Sequence, residues 1–156
     1  VQPSVVKQTE VKREYPLPYP GVLPDHPLYV LKALRDKILD MLIVDPLRKS
    51  EFYILQGDKR LQMGMMLIDK GNATLAEQVI SKGEKYMHQA VYGLVTLKQG
   101  GKEVPGYLLD RLEQSLTKHQ EVLGTLVTRA IEPDKSGLAG SLELVGKLID
   151  ELPKLK

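Results

Sequence analysis

The feature of this sequence that most constrains its fold is a spacing of three and four residues between leucines and other apolar residues, repeated from residue 28 to residue 152. This spacing puts the apolar side chains on one side of an α-helix. It is interrupted by pairs of residues that start or end helices, namely Asp45-Pro46, Gly71-Asn72, Gly100-Gly101 and Glu132-Pro133. The pattern predicts an all-α fold of about five helices.

The interruptions also predict where the helices lie. Asp25 is expected to cap the first helix, with Pro27 in its first turn. The other four are expected at about residues 46–70, 74–99, 105–130 and 136–152. The second, third and fourth are matched in length, each roughly 38 Å long. Matched lengths and short connections predict an up-and-down antiparallel bundle that buries the apolar side of every helix, including Leu31 and Ile38 of the first.

Residues 1–23 are predicted to be an extended, proline-rich arm, and residues 24–156 to be the helical bundle domain. The stretch from Tyr15 to Pro20 alternates proline with other residues, and proline both restricts φ and lacks the N–H donor that regular structure needs. Residues 5–12 mix β-branched and charged residues, which allows either a short strand or a tail. We expect the arm to dock on its own bundle or on a neighbouring subunit.

Composition excludes several classes of protein. Lysine and arginine number 22 against 20 aspartates and glutamates, and aromatic residues are 5% of the chain, so a nucleic-acid surface is not expected. Cysteine is absent, which excludes disulfides and thiolate metal sites. No run of about 18 apolar residues is present, so no membrane insertion is expected. The chain begins at Val1, from which we expect a processed or truncated terminus, with a signal peptide as one explanation.

Three histidines are the candidate metal ligands: His26, His88 and His119. Glu84 and His88 are four residues apart, a spacing that we interpret as a solvated pair on one helical face. The Glu-x-x-His spacing of di-iron bundles is absent. His119 lies among leucines of the fourth helix, and we interpret it as a buried imidazole bonded to a tyrosine or a carboxylate. No metal and no cofactor are therefore predicted.

Catalytic motifs are missing as well. The sequence has no Gly-x-Ser-x-Gly elbow and no phosphate-binding glycine loop. Its carboxylates alternate with lysine and arginine in the manner of solvated helix surfaces, as at Lys32 and Asp36, and we expect no inward-facing cluster of charged groups. The chain is accordingly predicted not to be an enzyme.

The second helix carries glycines on one face. Large and small residues alternate there at heptad spacing, in the order Leu47, Ser50, Ile54, Gly57, Leu61, Gly64 and Ile68. A glycine inside a helix costs about 1 kcal/mol relative to alanine, so a close contact with another helix is expected to offset it. Ser50, Gly57 and Gly64 are the predicted contact positions, with the first helix, the third helix or another subunit as partner. In the alternative interpretation these glycines are exposed.

Two stretches resemble a known family. Residues 23–32 read Leu-Pro-Asp-His-Pro-Leu-Tyr-Val-Leu-Lys, and a second block is formed by residues 45–51, Asp-Pro-Leu-Arg-Lys-Ser-Glu, and 56–61, Gln-Gly-Asp-Lys-Arg-Leu. They are similar to domain-of-unknown-function family 5667, over about residues 20–98. The resemblance implies a helical body and export from a bacterial or archaeal cell, and it brings no catalytic residue. The glycine-bearing face departs from it, and the last two helices lie outside it.

These observations favour a non-catalytic, exported or cell-surface helical protein that acts through protein–protein contacts. Its partner is expected to be a second copy, in an oligomer or filament built by the arm, or another surface protein. The predicted interaction residues lie in the arm and the turn after it: Tyr15, Pro16, Pro18, Tyr19, Pro24, Asp25, Pro27 and Tyr29. Leu28 and Tyr29 are expected to pin the arm against the bundle. Deleting residues 1–20 and measuring the mass by light scattering tests the assembly.

An alternative function is a carrier of a small molecule, haem or metal in the bundle interior near His119 and Tyr86. Elemental analysis and an absorbance spectrum test this alternative. An enzyme with a carboxylate-based site is the third hypothesis, which needs a cleft with several charged groups of shifted pKa.

Overall fold

The structure is a computed structural model that describes residues 15–156. In this range it consists of five α-helices and a final 3-10 turn, with no strand. The helices are α1 (Tyr29–Leu42), α2 (Pro46–Asp69), α3 (Ala73–Gln99), α4 (Gly106–Arg129) and α5 (Asp134–Glu151), and the turn is Leu152–Leu155. The predicted all-α fold is confirmed, and α2 to α5 begin and end within two residues of the predicted bounds.

Helix starts show which predicted caps form. Asp45 caps α2, because its Oδ1 accepts hydrogen bonds from the backbone N–H groups of Leu47 at 2.8 Å and Arg48 at 3.1 Å. The predicted cap at Asp25 is wrong. Leu28 occupies the cap position of α1, and its N–H donates to Nδ1 of His26 at 3.1 Å. Asp25 instead pairs with Lys70 after the far end of α2, with Nζ and Oδ2 2.6 Å apart.

The four longer helices enclose the main core. α2 packs along α3, α5 packs against both α3 and α4, and α4 flanks α2. Leucines and other apolar side chains from these helices have almost no solvent exposure, including Ile54, Leu61, Ile80, Met87, Leu94, Leu108, Leu112, Leu116, Leu123 and Leu148. The 3-10 turn closes the end of this core with Leu152 and Leu155. The apolar side of each of these helices is therefore buried against the other helices.

The glycine face of α2 lies against α3. A Cβ atom at Gly57 would lie 2.5 Å from Sδ of Met87, and one at Gly64 would overlap the side chain of Ile80. Gly83 of α3 is similarly close to α2, since a Cβ atom at Gly83 would lie 2.8 Å from Cβ of Arg60. Ser50 is buried, and its Oγ donates to the carbonyl of Pro46 at 3.0 Å. Among the partners left open by the sequence, the third helix is the one that approaches these glycines, and Gly57 and Gly64 are buried rather than exposed.

The first helix does not join the bundle as predicted. Asp36 is the buried residue of α1, with 5% of its surface exposed, so the polar side of the helix faces inward. Its apolar side faces outward, and Val30, Met41 and Leu42 are 72%, 76% and 70% exposed. The expectation that every apolar face is buried is wrong for α1, because α2 to α5 already fill the core with one another.

The described part of the arm, residues 15–23, lies against its own chain. Leu17 packs on the main core, and Leu23 joins a second apolar cluster with Met63 and Leu67 of α2. Lys32 of α1 donates from Nζ to the carbonyls of Pro20 and Val22. The predicted strand or tail at residues 5–12 lies outside the described residues. The arm therefore crosses over α2 and connects it to α1.

Candidate functional site

A cluster of ionisable side chains lies at the centre of the bundle. Asp58 of α2, Glu84 of α3 and His119 of α4 are each at most 1% exposed. Nδ1 of His119 lies 2.5 Å from Oε1 of Glu84, and Nε2 lies 3.0 Å from Oδ1 of Asp58. One imidazole thus bridges two carboxylates from two other helices. We call these three residues the central triad.

Asp58 connects the triad to the arm. Its Oδ1 also accepts a hydrogen bond from Oγ of Ser115 at 2.6 Å, and its Oδ2 accepts one from the Tyr15 hydroxyl at 2.5 Å. Ser115 and His119 are four residues apart, so both lie on the same side of α4. The triad therefore joins four parts of the chain, namely the arm, α2, α3 and α4.

The close approach of α2 and α3 explains where the two carboxylates lie. Asp58 follows Gly57, and Glu84 follows Gly83. Each glycine occupies the point where the two backbones approach, and the next residue is rotated by about 100° around its helix. That rotation directs both carboxylates away from the contact between α2 and α3 and towards α4. The glycine contact and the triad are thus parts of one arrangement.

The charge state of the triad follows from its surroundings. Burial alone lowers the pKa of His119, but the charge of Glu84 and the hydrogen bonds with Asp58 and Glu84 outweigh burial and raise the pKa to about 9. The imidazole is therefore protonated at neutral pH, and both ring nitrogens donate. Burial, followed by the charge of Asp58, raises the pKa of Tyr15 to about 12. Among residues 15–156, Oε2 of Glu84 has no hydrogen-bond partner.

A second buried cation lies nearby on α2. Arg60 donates from Nη1 to Oε1 of Gln56 at 2.5 Å, and its guanidinium lies 4.6 Å from the centre of the Tyr86 ring. The Tyr86 ring in turn lies 5.8 Å from that of Tyr53. Tyr86, which the carrier hypothesis placed beside His119, is thus part of this separate cluster.

The raised pKa of His119 predicts that stability falls as pH rises. Because the pKa is 6.5 in the unfolded chain and about 9 in the folded one, the folded state holds an extra proton between these values. We expect the free energy of unfolding to fall by about 1–2 kcal/mol between pH 6.5 and 8. Above that range Lys32, whose pKa burial lowers to about 8, contributes in the opposite direction. Urea unfolding at several pH values measures the change.

Nitrogen NMR of the His119 ring is the direct control for this prediction. We expect imidazolium signals at pH 7.5, because two carboxylates accept from the ring. A neutral ring at that pH, together with stability that does not change from pH 6.5 to 8, contradicts the charge state assigned here.

The predicted interaction residues of the arm and turn do not form one site. Tyr15 reaches the triad, and Tyr29 packs on the second apolar cluster with Leu23. Tyr19 is exposed, and Asp25 bonds Lys70. The prolines of the set are divided between half-buried and exposed positions: Pro18 and Pro24 are half-buried, whereas Pro16 and Pro27 are exposed. Leu28 is exposed, so its predicted role in pinning the arm is wrong.

Two other predictions about charged residues are wrong. Glu84 does not pair with His88, which is exposed and has its ring 4.5 Å from that of Tyr92. The expected absence of an inward-facing charged cluster is also wrong, since Asp58, Glu84 and His119 form one. His119 itself was correctly interpreted as a buried imidazole bonded to a carboxylate. A charged residue directly after a buried glycine was the signal that could have revealed Asp58 and Glu84.

The chemistry open to the triad is limited. Both ring nitrogens of His119 are engaged by carboxylates, so neither is free to bind a metal ion or to accept a proton from a substrate. Within the described part of the chain, no group of three or more His, Cys, Asp or Glu is arranged to hold a metal ion. The geometry suits an internal ion pair that holds the helices together.

Two surface features could bind other molecules. The first is the outward side of α1, formed by Val30, Leu31, Leu34, Ile38, Met41 and Leu42, which we call the outer face of α1. The second is a hollow of about 410 Å³ between α2, α4 and α5. Its walls are mostly apolar: Met65, Ile68, Ala73, Val122, Leu126, Ala130, Ile131 and Leu138. We call it the α4–α5 groove.

The comparisons with known proteins identify the family. The family model described as a domain of unknown function, DUF5667, matches residues 21–132. The chain therefore belongs to this family. The match extends beyond the residues at about 20–98 that carried the resemblance, and it includes α4 with His119. No curated protein and no solved structure matches the chain. In residues 15–156, the helices are all too short or too polar to span a bilayer.

Proposed function

We propose that this chain is a non-catalytic helical protein that acts through contacts with other proteins, at the cell surface or outside the cell. The outer face of α1 is the proposed contact surface. The observation that carries the proposal is the orientation of α1, which turns Asp36 towards the bundle and its leucines towards solvent. The location rests on the export that the family resemblance implies, and cell fractionation tests it.

The exposure of this face is energetically unfavourable for an isolated chain. Leaving apolar surface in water costs about 25 cal/mol for each Å². Isolated apolar side chains are common on protein surfaces, but a continuous patch of them is typical of an interaction site. Leu31, Leu34 and Ile38 are spaced by three and four residues and are 64%, 55% and 47% exposed, so they form such a patch along one helix. A partner that covers them recovers the energy of burial.

The arm contributes less to this proposal than the sequence suggested. Residues 15–23 are already engaged by their own bundle, through Tyr15 with Asp58 and through Leu17 and Leu23 in apolar clusters. Leu17 and Leu23 are thus engaged within the chain, although Pro16 and Tyr19 stay exposed. The contact surface is therefore assigned to α1 rather than to residues 15–23.

The central triad supports a role without catalysis. His119 has no free ring nitrogen, and none of the residues that line the α4–α5 groove belongs to the triad. A carrier function at His119 has less support for the same reason.

A charged version of the outer face tests the proposal. In Leu34→Glu/Ile38→Glu, we expect the free energy of unfolding to change by less than about 1 kcal/mol, because both side chains are exposed. We expect contacts to other proteins to be lost, because a carboxylate in an apolar interface is left unpaired. The contacts are measured with a photo-crosslinking residue at position 30. The protein adducts that it forms in the native cell are compared between chains with and without the two substitutions.

The same photo-crosslinking residue at position 143, an exposed site on α5, is the matched control. Protein adducts at position 30 and none at position 143 support the proposal. Adducts that contain lipid rather than protein refute the proposal. Unfolding of Leu34→Glu/Ile38→Glu also refutes it, because it would mean that these two side chains are buried in the folded protein.

A further inference from the structure

We infer that the outer face of α1 docks in the α4–α5 groove of a second copy of this chain. This inference rests on the proposed function and names the partner. It follows from three properties of the structure, which are shape, charge and the separation of the two surfaces within one chain.

The shapes of the two surfaces match a helix that lies in a groove. Such contacts use anchor side chains at positions i, i+3 and i+7 of an amphipathic helix. Leu31, Leu34 and Ile38 have this spacing and are exposed. The groove has a volume of about 410 Å³, and most of its walls come from α2, α4 and α5, with Met65, Leu126 and Leu138 among them. It has room for a row of side chains rather than for a whole helix.

Charge favours the groove over a second α1 as the partner. On α1, Arg35 and Lys37 are both exposed. Arg35 is paired with the buried Asp36, with Nη2 and Oδ1 2.9 Å apart, and Lys37 adds a further positive charge. The outer side of the helix is therefore apolar and positive. Pairing it with the same side of another α1 would bring like charges together.

The rim of the groove has an excess of acidic groups. It contains Asp69, Glu121 and Asp134 against Lys118 and Arg129. Nζ of Lys118 lies 3.8 Å from Oε1 of Glu121, so these two charges offset each other. Asp69 and Asp134 then stand against Arg129. A positive, apolar helix is thus complementary to this rim, and complementary charge gives a contact its orientation.

The two surfaces lie apart within one chain, so the contact has to form between copies. The inner side of α1 is held to its own arm through Lys32, and Asp40 lines a hollow with Arg60 and Tyr86. The groove lies instead between α2, α4 and α5. A face on one copy that binds a different surface on the next makes a head-to-tail contact, which leaves a free face and a free groove at the two ends of every pair. Such contacts form rings or filaments.

Photo-crosslinking of purified protein tests the inference. Protein with a photo-crosslinking residue at position 34 is mixed with ¹⁵N-labelled wild-type protein, and the crosslinked peptides are identified by mass spectrometry. We expect crosslinks from position 34 to labelled peptides within residues 118–138. In labelled protein that carries Ile131→Asp, the yield should fall about tenfold, because Ile131 is an apolar residue at the groove and is 80% exposed.

Thr117→Asp is the matched control, since Thr117 is also exposed on α4 but does not line the groove. It should leave the yield unchanged. Crosslinks to α1 of the second copy, or no crosslinks between copies, overturn the inference. Neither outcome removes the proposed function, which is judged separately by the adducts formed at position 30 in the cell and by the stability of Leu34→Glu/Ile38→Glu.

Discussion

Replacing Asp58 by alanine is expected to lower the free energy of unfolding by about 3–5 kcal/mol. Asp58 accepts hydrogen bonds from Tyr15, Ser115 and His119, and all of these interactions are lost together. The change leaves Nε2 of a buried imidazolium without a partner, which is the main cost. Urea unfolding at pH 7 measures it.

Glu143→Ala is the matched control for this substitution. Glu143 is also a helical carboxylate with a basic partner, since its Oε1 lies 3.1 Å from Nζ of Lys147. The pair is exposed, so its loss should change stability by less than about 0.5 kcal/mol. If Asp58→Ala costs no more than Glu143→Ala, then the triad does not hold the bundle together.

Replacing Gly57 by leucine is expected to cost at least about 2 kcal/mol, although leucine is the better helix former. The new side chain would start 2.5 Å from Sδ of Met87 and 3.1 Å from the carbonyl oxygen of Gly83. Met87 could move, but the carbonyl belongs to the α3 backbone, so α2 and α3 would have to separate. Thermal unfolding measured by circular dichroism should show the loss.

Gly124→Leu separates the packing cost from helix propensity. Gly124 lies inside α4, and a Cβ atom there meets nothing within 4 Å. The same substitution should therefore raise stability by up to about 1 kcal/mol. Equal effects at the two positions would contradict the close packing of α2 on α3.

Apolar spacing was sufficient to predict α2 to α5, because each of these helices buries the stripe that its own sequence defines. It was insufficient for α1. A stripe shows which side of a helix is apolar, but whether another element covers that side depends on the rest of the chain. Here α2 and α3 approach closely at Gly57 and Gly83, and α4 and α5 fill the remaining core. Leu31 and Ile38 are left 64% and 47% exposed.

The central triad was predictable in part. The burial of His119 was predictable because it interrupts a row of leucines in the fourth helix. Asp58 and Glu84 resembled surface carboxylates, because basic residues surround each of them in the sequence and neither belongs to an apolar stripe. Their burial depends on how close α2 and α3 come to each other and on the side from which α4 covers them. The local sequence does not show how these helices pack. A carboxylate directly after a buried glycine is nevertheless a usable signal.

Thiol labelling tests most directly whether α1 turns its apolar side to solvent. The chain has no cysteine, so Leu34→Cys and Asp36→Cys each introduce a single thiol on opposite sides of α1. At a protein concentration low enough to keep the chain monomeric, we predict that the thiol at position 34 reacts at least ten times faster than the thiol at position 36. A faster reaction at position 36 would show that the apolar side of α1 packs against the bundle, and would contradict its exposure to solvent.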